Sequence, residues 1–240
     1  MVLDYAHEFD TLDTVLVVNS CARGKAVPES DLDMAVLLTT PVDEDEMDQV
    51  WRAHVAATPT LAAFAARSDM SAVHVDFFDG AFTPTEWDDG DGPDDFEIEI
   101  GNRVAYSVPL HASGPYYERL RAQWLPYYDR TLQTSRLEMV REGLLHDLSH
   151  IPFYTARELH LQAFDRLYRA LRQYLQALFI SEATYPIAYN KWLREQLGMI
   201  GKEALYNPLV SVLEIPNLAR DLGAKADLLR ELESDLRLQP

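Results

Sequence analysis

Apolar positions change their period about halfway along the chain. In the first half they come in short β-branched runs, 15–19, 32–39 and 72–78, each bounded by polar residues, which predicts three β-strands. Between the last two, Met47, Val50, Trp51, His54 and Val55 recur at helical spacing behind a group of acids, so a helix is expected over 43–67 and is interrupted at Pro59. Residues 83–95 are rich in Asp, Gly and Pro and read as a loop. Phe96-Glu-Ile-Glu-Ile100 alternates, as 103–109 does more loosely, which predicts a hairpin turning at Gly101-Asn102.

From residue 116 onward the apolar spacing is three and four. Helices are expected over 116–132, 135–149, 152–180, 186–197 and 217–236, with Pro152 opening a first turn. The fold class is therefore α+β. Residues 1–112 are expected to form an α/β domain around a mixed sheet, and 113–240 a helical bundle. The cleft between the two is the expected ligand site.

Composition narrows the function. The 240-residue chain is 48% hydrophobic, which suits a globular protein, and no apolar run reaches the roughly 18 residues of a membrane span. The first residues lack the basic and apolar regions of a signal peptide. A single cysteine, Cys21, excludes an internal disulfide and a cysteine zinc cluster. These features together predict a cytoplasmic protein that does not associate with membranes. The formal net charge of -18, with no Lys/Arg-rich block, opposes nucleic-acid binding. It favours a cationic small molecule or a protein as partner.

The candidate chemistry sits where the first strand turns into the second. Asp31 and Asp33 open the strand at 32–39, and residues two apart project to one face. Both carboxylates then lie beside the turn at Asn19-Ser20, where free backbone N–H groups suit a phosphate. Paired carboxylates next to a phosphate cradle suit Mg²⁺ carrying a nucleoside triphosphate. Asp76, on the strand at 72–78, is the candidate third acid. Glu97 and Glu99, sharing one face of their expected strand, are its alternatives.

Ser20, then Asp31-x-Asp33 after a spacer of roughly ten residues, then Asp76 on a further strand, resembles the nucleotidyltransferase superfamily related to DNA polymerase β. The chain departs from that pattern at Asn19, where the family usually has glycine. Asn is among the non-glycine residues that best tolerate positive φ. The resemblance implies Asp31, Asp33 and Asp76 as metal ligands for Mg²⁺, with Asp76 alternatively the base for the acceptor hydroxyl. It implies Ser20 on a β- or γ-phosphate of ATP, with Arg23 and Lys25 adding charge in the same loop.

The helical half also offers Tyr185-Pro-Ile-Ala-Tyr189-Asn-Lys191-Trp192, read either as core or as a nucleotide contact in which Lys191 reaches the triphosphate and Tyr189 stacks on the base. His146 and His150 stand four apart on an expected helix, a spacing that serves packing more often than metal.

The leading expectation is transfer of AMP from ATP to a hydroxyl of a small molecule, as in bacterial aminoglycoside or lincosamide adenylyltransferases, which associates the chain with antibiotic resistance by analogy alone. The alternatives are a protein-AMPylating or antitoxin-type nucleotidyltransferase, and a nucleotide-binding module without catalysis.

Overall fold

In the computed structural model, residues 2–6, 9–41, 43–67, 72–85, 92–112 and 114–236 are described. The protein is α+β, with a four-stranded mixed sheet and several helices. The chain divides into two compact units, Met1–Thr83 with Glu99–Leu125, and Pro84–Ile98 with Pro126–Pro240. The backbone thus passes between units three times, whereas the apolar pattern suggests one boundary near residue 112. Residues 86–91 of the expected loop lie outside the described residues. Among the described residues no helix is long and apolar enough to cross a membrane.

The first unit is built on strands β1 (Leu12–Val17), β2 (Leu32–Leu38), β3 (Val73–Phe78) and β4 (Val108–Ala112), in the order β3-β2-β1-β4. Strands β2 and β3 are parallel, and β1 runs antiparallel to both β2 and β4. Alternation decides the faces. Met34, Val36 and Leu38 of β2 and Val73, Val75 and Phe77 of β3 pack with Val15 against Tyr5, Trp51 and Leu61. Those last three come from α1 (Val2–Ala6), α3 (Glu44–Ala57) and α4 (Pro59–Ala65). Asp43 caps α3 by accepting from Glu46 N–H at 3.0 Å, and Pro59 occupies the first turn of α4, so the break falls at the proline.

The second helical run of this unit is α6 (Tyr116–Trp124). Its N-terminus is capped by the buried Asp13 of β1, which accepts from Tyr116 N–H and Tyr117 N–H at 2.9 Å each. A Cβ on Gly114 would fall on the Asp13 carboxylate, so only glycine lets the chain approach this cap.

The expected hairpin is absent. Phe96–Ile100 forms α5, continued by a π-helical turn over Gly101–Ala105. Phe96, Ile100 and Val104 are the large apolar side chains buried here, four apart, which is a helical repeat. Five residues reading Phe-Glu-Ile-Glu-Ile satisfy both periods. What separates them is Glu97, fully buried in the second unit among polar partners, while Glu99 is half exposed. The two glutamates share no face, and neither stands in for Asp76.

The second unit is organised by α7 (Arg130–Ala156) and α8 (His160–Ser181), with α9 (Leu193–Met199), a short 3-10 turn, α10 (Tyr206–Val212) and α11 (Leu218–Ser234) packed around a core that includes Leu144, Leu148, Leu167, Phe179 and Leu229. Pro152 was expected to open a helix but lies inside α7. A proline cannot donate to the carbonyl four residues back, here that of Leu148. Arg230 of α11 donates to that carbonyl at 2.6 Å, which satisfies the orphaned acceptor.

The segment before α9, expected as helix from 186, is irregular up to Trp192, whose φ of 60° is left-handed. The buried Gln196 carboxamide holds it. Its oxygen accepts from Ile187 N–H and Ala188 N–H, and its nitrogen donates to the carbonyls of Ala188 and Lys191.

Near α5, Arg136 of α7 donates to both Asp94 and Glu97, with distances of 2.6–2.9 Å. Gln176 donates to the same two carboxylates at 2.8 Å, and the Tyr128 hydroxyl donates to Glu97 at 2.9 Å. Burial alone would lower the Arg136 pKa, yet the two carboxylates hold it above its usual value. This polar network lies inside the helical unit.

Candidate metal and phosphate site

Strand β1 ends at Val17, and the chain enters the short helix α2 (Asn19–Ala22) through Val18, whose N–H donates to the Asp33 carbonyl at 3.1 Å. Asn19 is left-handed, with φ 55°, as the turn requires where glycine is missing. Its side chain hydrogen-bonds the Asp33 carboxylate. Cys21 directs its S–H at the Asp31 carbonyl, at 3.4 Å, so the thiol serves as a tether of the loop. Both aspartates are thus fixed to this turn by backbone and side-chain bonds.

The register of β2 on β3 brings a histidine into the group. Asp33 pairs with His74, and Ala35 with Asp76. Opposed residues of a parallel pair project to the same face, so Asp33, His74 and Asp76 share it. His74 Nε2 lies 3.9 Å from an Asp31 carboxylate oxygen. One ligand atom each of Asp31, Asp33 and His74 lies within 4.8 Å of the others. Asp76, the expected third ligand, is not in that group. It is exposed, one strand repeat further along β3.

Burial pushes the Asp33 carboxyl above its ordinary pKa. The Asn19 hydrogen bond and His74 work in the opposite direction, and Asp31 and Asp76 add to the rise. Three acids on one face repel one another, and a cation is the usual remedy. The donor set fits a divalent ion. Asp31 and Asp33 offer hard oxygens, and the Asp31 Oδ1 atom is buried with no hydrogen bond among the described residues.

Ser20 is half buried in α2, on the same turn; the cap position of that helix is Val18, not Ser20. Arg23 is half buried and its charge opposes the rise of the Tyr106 hydroxyl, which burial pushes up to about 12. Lys25 is exposed.

The residues expected from the helical unit separate. Tyr189 is 3% exposed and belongs to the core, with its hydroxyl toward Glu97 at 3.5 Å. It has no free face on which a base could stack, which corrects the expectation drawn from its aromatic neighbourhood. Tyr185 is equally buried. Lys191 is exposed and lines a shallow depression with Trp192, Arg194 and Tyr206, where the Arg194 guanidinium stacks 4.0 Å from the Tyr206 ring centroid. His146 and His150 belong to no metal-sized group among the described residues; the His150 ring nitrogen Nδ1 instead sits 2.9 Å from the His146 carbonyl.

Sequence reasoning gave no role to His74. The signal was present, since His74 and Asp76 have the same strand parity, but only the register identifies which of them faces Asp33. No family model matches the chain, and no curated protein matches it.

Proposed function

We propose that the protein is a divalent-metal-dependent nucleotidyltransferase that moves a nucleoside monophosphate, AMP from ATP, onto a hydroxyl of a cationic small molecule. The observation that carries this reading is the convergence of Asp31 and Asp33 on one point beside the Asn19–Ala22 turn, with Asp33 held by Asn19.

Asp31 and Asp33 are the residues that hold the ion. A divalent cation held there would supply positive charge against the α-phosphate and the leaving pyrophosphate. The protein contributes position. The Ser20 hydroxyl and the charges of Arg23 and Lys25 hold the β- and γ-phosphates. Asp76, on the same face as Asp33, takes the proton of the acceptor hydroxyl as its oxygen attacks the α-phosphorus. The bond from that phosphorus to the β-bridging oxygen breaks, and pyrophosphate leaves with the electron pair. A net charge of -18 draws a cationic acceptor and repels a polyanion.

Incubating the protein with α-labelled ATP, Mg²⁺ or Mn²⁺ and a panel of aminoglycosides, other polyamines and proteins tests the reading. Label on a small cationic acceptor with stoichiometric pyrophosphate is the expected result. ATP that neither binds in the presence of metal nor labels any acceptor would overturn it.

A further inference from the structure

The structure assigns His74 as a third protein ligand of the cation site, through Nε2, making it a mixed oxygen–nitrogen site that prefers Mn²⁺ to Mg²⁺. The inference rests on the reading that Asp31 and Asp33 hold a metal.

Register places His74 opposite Asp33 and on the same face. Its Nε2 is 3.9 Å from Asp31, and the three ligand atoms are mutually within 4.8 Å. Around an octahedral ion with bonds of about 2.1 Å, ligand atoms stand about 3 Å apart when adjacent and about 4 Å when opposite. Rotation of the exposed His74 side chain toward Asp31 and Asp33 closes the remaining gap. The His74 side chain is 57% exposed, so the ring is free to turn. Among the described residues its polar contact is the Asp31 carboxylate, with no carbonyl or hydroxyl fixing it elsewhere.

Donor chemistry gives the preference. Mg²⁺ takes oxygen ligands and holds its waters tightly, so an imidazole adds little to its binding. First-row transition ions gain from nitrogen, and among them Mn²⁺ also suits carboxylate and phosphate oxygens. The other soft group nearby, the Cys21 thiol, is turned to the Asp31 carbonyl and does not join the set. Asp76 is displaced from the cluster by one strand repeat, which leaves the nitrogen as the third donor.

Mn²⁺ titration followed by electron paramagnetic resonance, with Mg²⁺ competition and pulsed measurements of ¹⁴N coupling, tests this without any assay of turnover. The protein should bind Mn²⁺ more tightly than Mg²⁺ and show a directly coordinated nitrogen. His74→Ala should lose the coupling, weaken Mn²⁺ by about tenfold, since even indirect ligand support is worth that much, and leave Mg²⁺ affinity nearly unchanged. Asp31→Asn should weaken both ions. Mn²⁺ bound without nitrogen coupling, or coupling that survives His74→Ala, would remove His74 from the site while leaving Asp31 and Asp33 as ligands. Failure of the wild-type protein to bind either ion would overturn both the histidine assignment and the metal reading beneath it.

Discussion

Asn19 holds the Asp33 carboxylate from a backbone position in the left-handed region, so a single residue both forms the turn and supports a candidate metal ligand. Substitution separates the two roles. Asn19→Gly keeps the φ of 55° at no steric cost but removes the hydrogen bond, which lets the Asp33 pKa rise further and should weaken divalent-ion binding, the more so as the pH falls. Asn19→Ala loses the bond and also strains the backbone, at about 1 kcal/mol. Urea denaturation and metal titration of the two variants measure these effects. An Asn19→Ala protein as stable as Asn19→Gly would show that the turn relaxes without cost.

Asp33 also sets a pH dependence. Its carboxyl is raised in the folded protein, chiefly by burial. Above the unfolded value, near 3.9, the unfolded chain has released this proton while the folded one still binds it. Folded protein then carries more protons, so stability contributed by this group falls as pH rises through the folded pKa. In chelator, Asp33→Asn should melt higher than wild type at pH 7, and the gap should close on acidification toward the unfolded pKa. At saturating divalent ion the order should invert, because ligand at about a hundred times its Kd adds about 2.7 kcal/mol to the form that binds it. A variant that melts below wild type in chelator would contradict the burial of Asp33.

Three strands, the helix break at Pro59 and the positive φ at Asn19 were legible because each is written in a few adjacent residues. The hairpin over 96–109 failed because Phe96–Ile100 fits both periods, and the deciding fact is the burial of Glu97 against Arg136, 39 residues away. Pro152 was read as a start because its cost inside a helix is local, while its compensation by Arg230 is not. His74 was visible as a strand residue, but the pairing with Asp33 belongs to the register of two strands 41 residues apart. Local rules reached the site, and long-range pairing completed it.

The polar network around Arg136 makes a strong stability prediction. Arg136 is 3% exposed and Glu97 is fully buried, so Arg136→Met leaves an acid inside the helical unit without its cation. Breaking one half of such a pair costs about 3–5 kcal/mol. Pairing it with Glu97→Gln should recover a good part of the loss, because the neutral amide is far cheaper to bury. Urea denaturation of the two single variants and the double variant checks this. Additive losses would show that the two side chains do not act as one unit.

Tyr189 and Lys191 are two residues apart, and they should respond in opposite ways. Tyr189 is packed in the core, and an aromatic deleted to Ala there costs about 3–5 kcal/mol. Lys191 is exposed, and its backbone carbonyl accepts from Gln196 at 2.8 Å. Lys191→Ala keeps that carbonyl and should stay within about 0.5 kcal/mol of wild type. Gln196→Ala should lose far more stability than Lys191→Ala. It leaves the N–H groups of Ile187 and Ala188 and the carbonyl of Ala188 without the partner they have now, and each buried group left unsatisfied costs about 1–3 kcal/mol before water or relaxation recovers part of it. Thermal melts of the three variants give the order directly. A Tyr189→Ala protein with wild-type stability would take Tyr189 out of the core and restore it as a ring able to stack on a ligand.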